Sequence, residues 1–268
     1  MREPGDSISP VLCRLSPTHR GLGAPHGLTA RMDITIASRF CGPPRMGHGG
    51  YVAGLFAERI AGCVQVTLRR PTPLDTPLRL QDGEAGKLAL LHGETLIAEA
   101  ERAALELEVP PPPTLAQAVA AEAGSPSHRG ERGVHPICFG CGRERTPGDA
   151  LRIFVGPCEA HGRSLVAARF RPDAAFADAA GIVPRLYVLA ALDCPGAFAF
   201  ISGDVRAGLL GRITFEAYRD VVAGADHIVT GWQVGSEGRK LYAGTALFDA
   251  NGELCAAARA VWFQPGRS

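Results

Sequence analysis

PRLYVLAALDCPGAFAFI, residues 184–201, is apolar on every side from Leu186 onward except at Asp193. A helix that is apolar all round has to be buried. The run falls short of the roughly 20 residues that a bilayer span needs, so it reads as the central helix of a core. Pro195 removes one backbone donor and disfavours helical geometry at Cys194, so the helix should bend or end beside Asp193. A buried carboxylate costs free energy unless it is paired, protonated or in use. Asp193 is therefore either a catalyst or a structural acceptor for backbone N–H groups freed at the break, as capping aspartates are.

Outward from this helix the pattern changes from helical to alternating. Four segments with a period of two follow it: Arg212–Arg219, His227–Val234, Lys240–Phe248 and Glu253–Phe263. Ser236-Glu237-Gly238 and Asp249-Ala250-Asn251-Gly252 supply hairpin turns between them. Leu151–Val155 and Ser164–Phe170 read as strands ahead of the helix. The first half repeats the plan. A strand is expected at about Arg31–Phe40, then the turn Cys41–Gly50, a helix over Tyr51–Ala61, and strands at Val64–Leu68, Leu78–Gln81, Lys87–His92 and Thr95–Val109. Proline and glycine punctuate the joins. A long helix ahead of four strands is an α+β arrangement, a sheet wrapped around one helix. The expected organisation is an N-terminal arm (1–29), a first unit (30–109), a linker (110–134) and a second unit (135–264) that opens on a CxxC segment.

With 46% hydrophobic residues the chain can bury a proper core, and its net charge of +1 gives no electrostatic case for nucleic acid or an anionic membrane. The N-terminus lacks the apolar core of a signal peptide. A cytoplasmic protein is expected, with its eight cysteines as thiols or metal ligands rather than disulfides. No GxGxxG or GxxxxGK[ST] loop is present, and the GxSxG elbow of serine hydrolases is also missing.

Several phrases, in order, carry a family likeness: His48-Gly49-Gly50 before the first helix, Cys138-Phe139-Gly140-Cys141-Gly142 leading into Leu151-Arg152-Ile153-Phe154, and Leu192-Asp193-Cys194-Pro195-Gly196 in the second helix. Gly238-Arg239-Lys240 and Ala258-Arg259-Ala260-Val261-Trp262 complete the set. Over roughly residues 30–264 the chain resembles the hotdog-fold thioesterase superfamily, as two hotdog domains fused in tandem. The resemblance implies antiparallel sheets wrapped around central helices and acyl thioesters of coenzyme A or carrier proteins as substrates. It also implies active sites between paired hotdogs, where the start of one helix meets an acid from the other. Here the pairing would be an intramolecular pseudo-dimer, which a homodimer could extend.

The first half keeps the His-Gly-Gly turn, and Glu58 on its helix reads as an ordinary solvated residue. The second half keeps an acid, Asp193, but has Gly181-Ile182-Val183-Pro184 in place of the turn. One of two interfacial sites thus retains both parts. The expected catalytic set is Asp193 as base or nucleophile, the Gly49 and Gly50 amides as oxyanion donors, and His48 orienting the turn or touching substrate. Unsatisfied N–H groups at a helix start carry the positive end of the dipole. Phe56, Leu189, Leu192 and Phe198 are expected either to line an acyl groove or to belong to the core, and Arg239 and Lys240 either to meet CoA phosphates or to be surface charge. No cofactor is required. Two rival functions share the fold: a non-catalytic acyl-binding protein, and a dehydratase or isomerase.

Cys138-x2-Cys141 is followed by Cys158-x2-His161. Two tight pairs of ligands have the spacing of a structural zinc site. The same four residues also fit a loop and a hairpin turn with no metal.

Overall fold

The computed structural model describes residues 31–131, 134–201 and 207–264, together with the backbone of Val11–Leu12. That pair forms β1, which lies beside β7 (Glu106–Leu107) outside the main sheet. The rest of the expected arm, 1–29, lies outside the described residues. The first half then runs β2 (Met32–Thr35), α1 (Gly49–Ala57), β3 (Val64–Leu68), β4 (Pro77–Asp82), β5 (Leu88–His92) and β6 (Thr95–Arg102). Two short helices, α2 (Leu115–Ala121) and α3 (Pro126–Arg129), lead to the second half. There follow β8 (Gly156–Ala160), β9 (Arg163–Phe170), α4 (Arg185–Ala191), α5 (Asp193–Phe198), β10 (Leu209–Ala217), β11 (His227–Glu237), β12 (Lys240–Asp249) and β13 (Leu254–Phe263).

The main sheet has eleven strands in the order β2-β4-β5-β6-β3-β10-β13-β12-β11-β9-β8. The first half contributes β2-β4-β5-β6-β3. The second contributes the same order reversed, β10-β13-β12-β11-β9, with β8 added at its edge. The chain is therefore two hotdog units in tandem, joined where β3 and β10 pair antiparallel with Val66 opposite Ile213. That join makes one continuous sheet, against which α1 and α5 pack. The expected α+β class and repeated plan hold.

Helices α1 and α4 pack directly on each other at a spacing only glycine permits. A Cβ on Gly50 would sit 2.6 Å from Asp193 Cβ and 2.9 Å from Ala190 Cα. One turn on, a Cβ on Gly54 would sit 2.5 Å from the Leu186 carbonyl oxygen. Small residues at i and i+4 bring the two backbones together. The apolar run 184–201 breaks as Pro195 requires: α4 ends and α5 begins at Leu192, so Asp193 is the first residue of a new helix. Among the described residues no helix is long and apolar enough to cross a membrane.

Three local expectations change. Leu151–Val155 is not a strand, because Arg152 has φ 55°. Its neighbours instead bond the Cys138–Cys141 loop, Leu151 N–H to Phe139 O and Ile153 N–H to Gly140 O. The run Thr95–Val109 splits, since the chain leaves β6 after Arg102 and re-pairs as β7 with β1. A period of two shows which face is apolar, not which sheet the strand joins. The stretch 110–134 is not a free tether. Thr114 and Gln117 form a reciprocal capping box at the start of α2, and Ala118 and Ala121 bury against a second apolar cluster containing Leu105, Cys158, Trp232 and Phe248.

Candidate active site at the seam

The loop Cys41–His48 turns the chain off the end of β2 so that α1 begins at Gly49. His48 caps that helix: its Nδ1 accepts from the Tyr51 N–H at 3.2 Å. Its other ring nitrogen, Nε2, faces Cys194 Sγ at 3.4 Å. The next free donor, the Gly50 N–H, is aimed across the seam at Asp193 Oδ2, 2.6 Å away. Asp193 Oδ2 also lies 3.4 Å from His48 Nδ1. Both side chains are almost wholly enclosed, His48 at 2% and Asp193 at 3% exposure. Burial pushes the Asp193 carboxyl above the ordinary carboxylate value, against the opposing pull of His48 and of the Gly50 N–H.

The acid is held by one oxygen only. Asp193 Oδ1 is buried with no hydrogen-bond partner among the described residues. The Gly49 N–H, the first of α1, likewise has none. Both residues line a cavity of about 340 Å³ at the seam. Its apolar walls include Leu68, Phe198, Ile201 and Leu210, while Arg69 and Arg70 also line it and are exposed. Trp262 belongs to the same wall, and its buried Nε1 has no partner among the described residues.

The second half's Cys138–Cys141 loop closes the site from one side. Phe139 is fully buried and meets Phe40, Tyr51 and His48 edge to face. Its N–H donates to Cys41 O at 2.7 Å. Burying such a ring is worth about 1.5–3 kcal/mol, which fixes the loop against the start of α1. Cys138 and Cys141 then line the cavity beside Cys194. Hydrogen bonds with Cys141 and Cys194 push the Cys138 thiol below its ordinary value, and the same contacts push Cys194 up.

The structure thus brings together Asp193, Gly49, Gly50 and His48. It alters one assigned role: the Gly50 amide is occupied by Asp193, so of the two glycine amides only Gly49 is open to a substrate. Of the other expected residues, Phe198 lines the cavity and the rest lie elsewhere. Phe56, Leu189 and Leu192 are fully buried between helices and sheet and do not line the cavity, because their faces point into the core. Arg239 donates to Gln264 O, and Lys240 pairs with Glu237 at 3.7 Å, both at a hairpin outside the cavity. Cys158 and His161 do not join Cys138 and Cys141. Cys158 belongs to the outer cluster, and His161 Nε2 lies 3.1 Å from Pro112 O.

Glu58 is more than a solvated residue. Its Oε1 accepts from the Leu186 N–H at 2.8 Å, the mirror of the Asp193–Gly50 contact. No period or motif marks it in sequence, since it follows an apolar helix beside Arg59. Arg69, Arg70 and Trp262 were also not read from sequence as site residues. The position of Trp262 between Val261 and Phe263 on an apolar strand signals burial but no chemistry.

Among solved structures the chain is similar to a tesB protein of Mycobacterium avium subspecies paratuberculosis, with a TM-score of 0.60, 14% identity, and 88% of this chain and 93% of that one covered. It is also similar to acyl-CoA thioesterase II TesB2 of Mycobacterium marinum, with a TM-score of 0.50, 13% identity and coverage of 82% and 90%. A third is the 12:0-ACP thioesterase of Umbellularia californica, with a TM-score of 0.51, 12% identity and coverage of 90% and 96%. At these identities the likeness shows the fold. No protein-family model matches the chain, and no curated protein matches it in sequence.

Proposed function

We propose that this chain hydrolyses acyl thioesters at the seam between its two hotdog units, with Asp193 as general base. The observation that carries the reading is the half-satisfied carboxylate: Oδ2 anchored by the Gly50 N–H, Oδ1 unpaired in a residue that walls the cavity. A buried carboxyl oxygen with no protein partner calls for an explanation, and a water or substrate held in the cavity supplies one.

In the proposed reaction Asp193 Oδ1 takes a proton from a water as that water adds to the thioester carbonyl carbon. The negative charge that forms on the carbonyl oxygen is met by the Gly49 N–H at the positive end of α1. Collapse of the tetrahedral intermediate breaks the C–S bond. The leaving thiolate takes back the proton held by Asp193, and the carboxylic acid product departs. Leu68, Phe198, Ile201 and Leu210 would receive the acyl chain. Arg69 and Arg70 suit the phosphates of coenzyme A or of a carrier's phosphopantetheine arm. Arg69 already pairs with Glu99, which leaves Arg70 as the freer cation. Donor and base come from the same chain, so a second copy is not needed for the chemistry. The described cysteines are free thiols, which suits a reducing compartment such as the cytoplasm.

The test is a panel of acyl-CoA substrates of increasing length, with products separated by chromatography, for wild type and Asp193→Asn. The expected result is hydrolysis by wild type and a loss of about 10²–10⁴-fold in kcat/KM for the variant, with its melting temperature kept. Equal rates for the two proteins would remove Asp193 from the chemistry. Tight binding of an acyl-CoA with no turnover would replace the hydrolase by an acyl-binding protein. The thioesterase names of the Mycobacterium marinum and Umbellularia californica structures agree with this substrate class.

A further inference from the structure

We infer that Cys138, Cys194 and His48 form a binding site for a zinc-class divalent cation. The site is independent of the hydrolase reading and can be filled whether or not thioesters are cleaved. Three separate segments converge on it: the helix cap at the start of α1, the Cys138–Cys141 loop, and the start of α5. Cys138 Sγ and Cys194 Sγ are 3.8 Å apart, and His48 Nε2 is 3.4 Å from Cys194 Sγ. All three ligand atoms lie within 4.8 Å of one another. A tetrahedral ion with Zn–S of about 2.3 Å and Zn–N of about 2.0–2.1 Å requires an S···S edge of about 3.8 Å and an S···N edge of about 3.6 Å. The Cys138–Cys194 and His48–Cys194 edges agree with these values to about 0.2 Å, and a disulfide, at about 2.05 Å, does not.

The surroundings fit a metal as well. Cys141 lines the same cavity, which adds a third thiol beside the set. Gly140 lets the loop come this close: a Cβ there would sit 2.6 Å from Cys194 Sγ and 2.7 Å from His48 Nε2. A metal on Nε2 moves the ring proton to Nδ1, where Asp193 Oδ2 at 3.4 Å can accept it in place of the Tyr51 contact. That is the carboxylate–histidine–metal arrangement of many zinc sites. Because the three residues line the cavity, an ion has a way in. Binding releases two thiol protons to solvent and leaves two thiolates on the ion. Two sulfurs and one imidazole favour Zn²⁺ over hard cations, and three protein ligands leave one tetrahedral position open.

The experiment strips the full-length, reduced protein with a chelator and titrates it with Co²⁺. The expected result is about one Co²⁺ per chain with tetrahedral visible bands and a sulfur-to-cobalt charge-transfer band, displaced by Zn²⁺. Cys194→Ser and Cys138→Ser should each weaken binding by at least about 10-fold. Cys158→Ser and His161→Ala should leave it unchanged. If a cysteine variant fails to fold, alkylation of wild type decides. Zn²⁺ should protect Cys138 and Cys194 but not Cys255, as read by peptide mass mapping. Absence of the charge-transfer band, alkylation at equal rates with and without Zn²⁺, or a Cys138–Cys194 disulfide in the purified protein would overturn the site. So would binding that survives Cys194→Ser and is lost in Cys158→Ser.

Discussion

The Gly50 amide and the Asp193 carboxylate meet at 2.6 Å across the seam, and Leu186 and Glu58 meet at 2.8 Å on the other side of the same pseudo-twofold. Both contacts join the second residue of one central helix to an acid of the other. Their environments differ. Asp193 is enclosed, with a cavity in front of it, whereas Glu58 is exposed. Next to Glu58, Arg185 donates to the Ile60 and Gly62 carbonyls and fixes the start of α4. One of the two pairings faces a cavity and the other serves as a helix cap.

Glu58→Gln and Asp193→Asn should therefore behave oppositely. Removing the Glu58 charge from the start of α4 should lower stability by about 0.3–1 kcal/mol and leave kcat/KM within about twofold. Asp193→Asn should lower kcat/KM by about 10²–10⁴-fold with little change in melting temperature. Urea unfolding and thioester kinetics on the two variants measure both quantities. A large loss of activity in Glu58→Gln would mean that the second site also turns over substrate.

Gly50→Ala tests the helix contact itself. Its new methyl group would lie 2.6 Å from Asp193 Cβ and 2.9 Å from the Ala190 backbone, so α1 and α4 must separate. Overpacking of this kind typically costs about 1–3 kcal/mol. The same displacement should draw Asp193 off its anchor and lower kcat/KM by about 10²-fold, the scale of a 1 Å misplacement. Gly49→Ala meets mainly the flexible Leu210 side chain at 3.0 Å. It should cost less stability, and if Gly49 is the oxyanion donor proposed above, the kinetic effect of a methyl 3.3 Å from Asp193 Oδ2 should fall on kcat. Equilibrium unfolding with steady-state kinetics separates the two.

The sequence made the repeat readable because a proline inside an all-round apolar helix, followed by a two-residue period, has few structural solutions. Asp193 stood out as the single charge in 186–201. The assignments that moved depended on distance along the chain. Cys138 and Cys141 signalled a cluster, but their partners in space are Cys194 and His48, fifty or more residues away, while the nearer Cys158 and His161 face other contacts. Phe56, Leu189 and Leu192 are core residues, as any apolar position on a central helix can be. Glu58 was unreadable because an exposed Glu beside Arg has the same appearance whether it is solvated or caps another helix.

Trp262→Phe probes the other orphan polar atom of the cavity. Trp262 Nε1 is buried without a partner among the described residues, and deleting an unmet donor is close to neutral or stabilising. The melting temperature should hold or rise. If the indole N–H serves the substrate, KM should rise by about 10-fold, equivalent to one hydrogen bond of about 1.4 kcal/mol. Unchanged KM would leave Trp262 as wall alone.

Acid sensitivity should trace in part to His227, far from the seam. Its ring is buried at the start of β11, with Nδ1 3.1 Å from the Ala225 carbonyl and a tilted contact with Phe170. Burial lowers its pKa, opposed by the Ala225 and Phe170 backbone and by Asp249 and Asp226. A histidine whose folded pKa lies below the unfolded value of about 6.5 binds its proton more readily in the unfolded chain. Stability then rises with pH and is fully present above about 6.5. It is lost as pH falls through that value toward the lower folded pKa. Wild type should show a falling urea midpoint from pH 7.5 to 5.5. His227→Gln should show a shallower fall, whatever its absolute stability. Parallel slopes for the two proteins would assign the acid sensitivity to other groups.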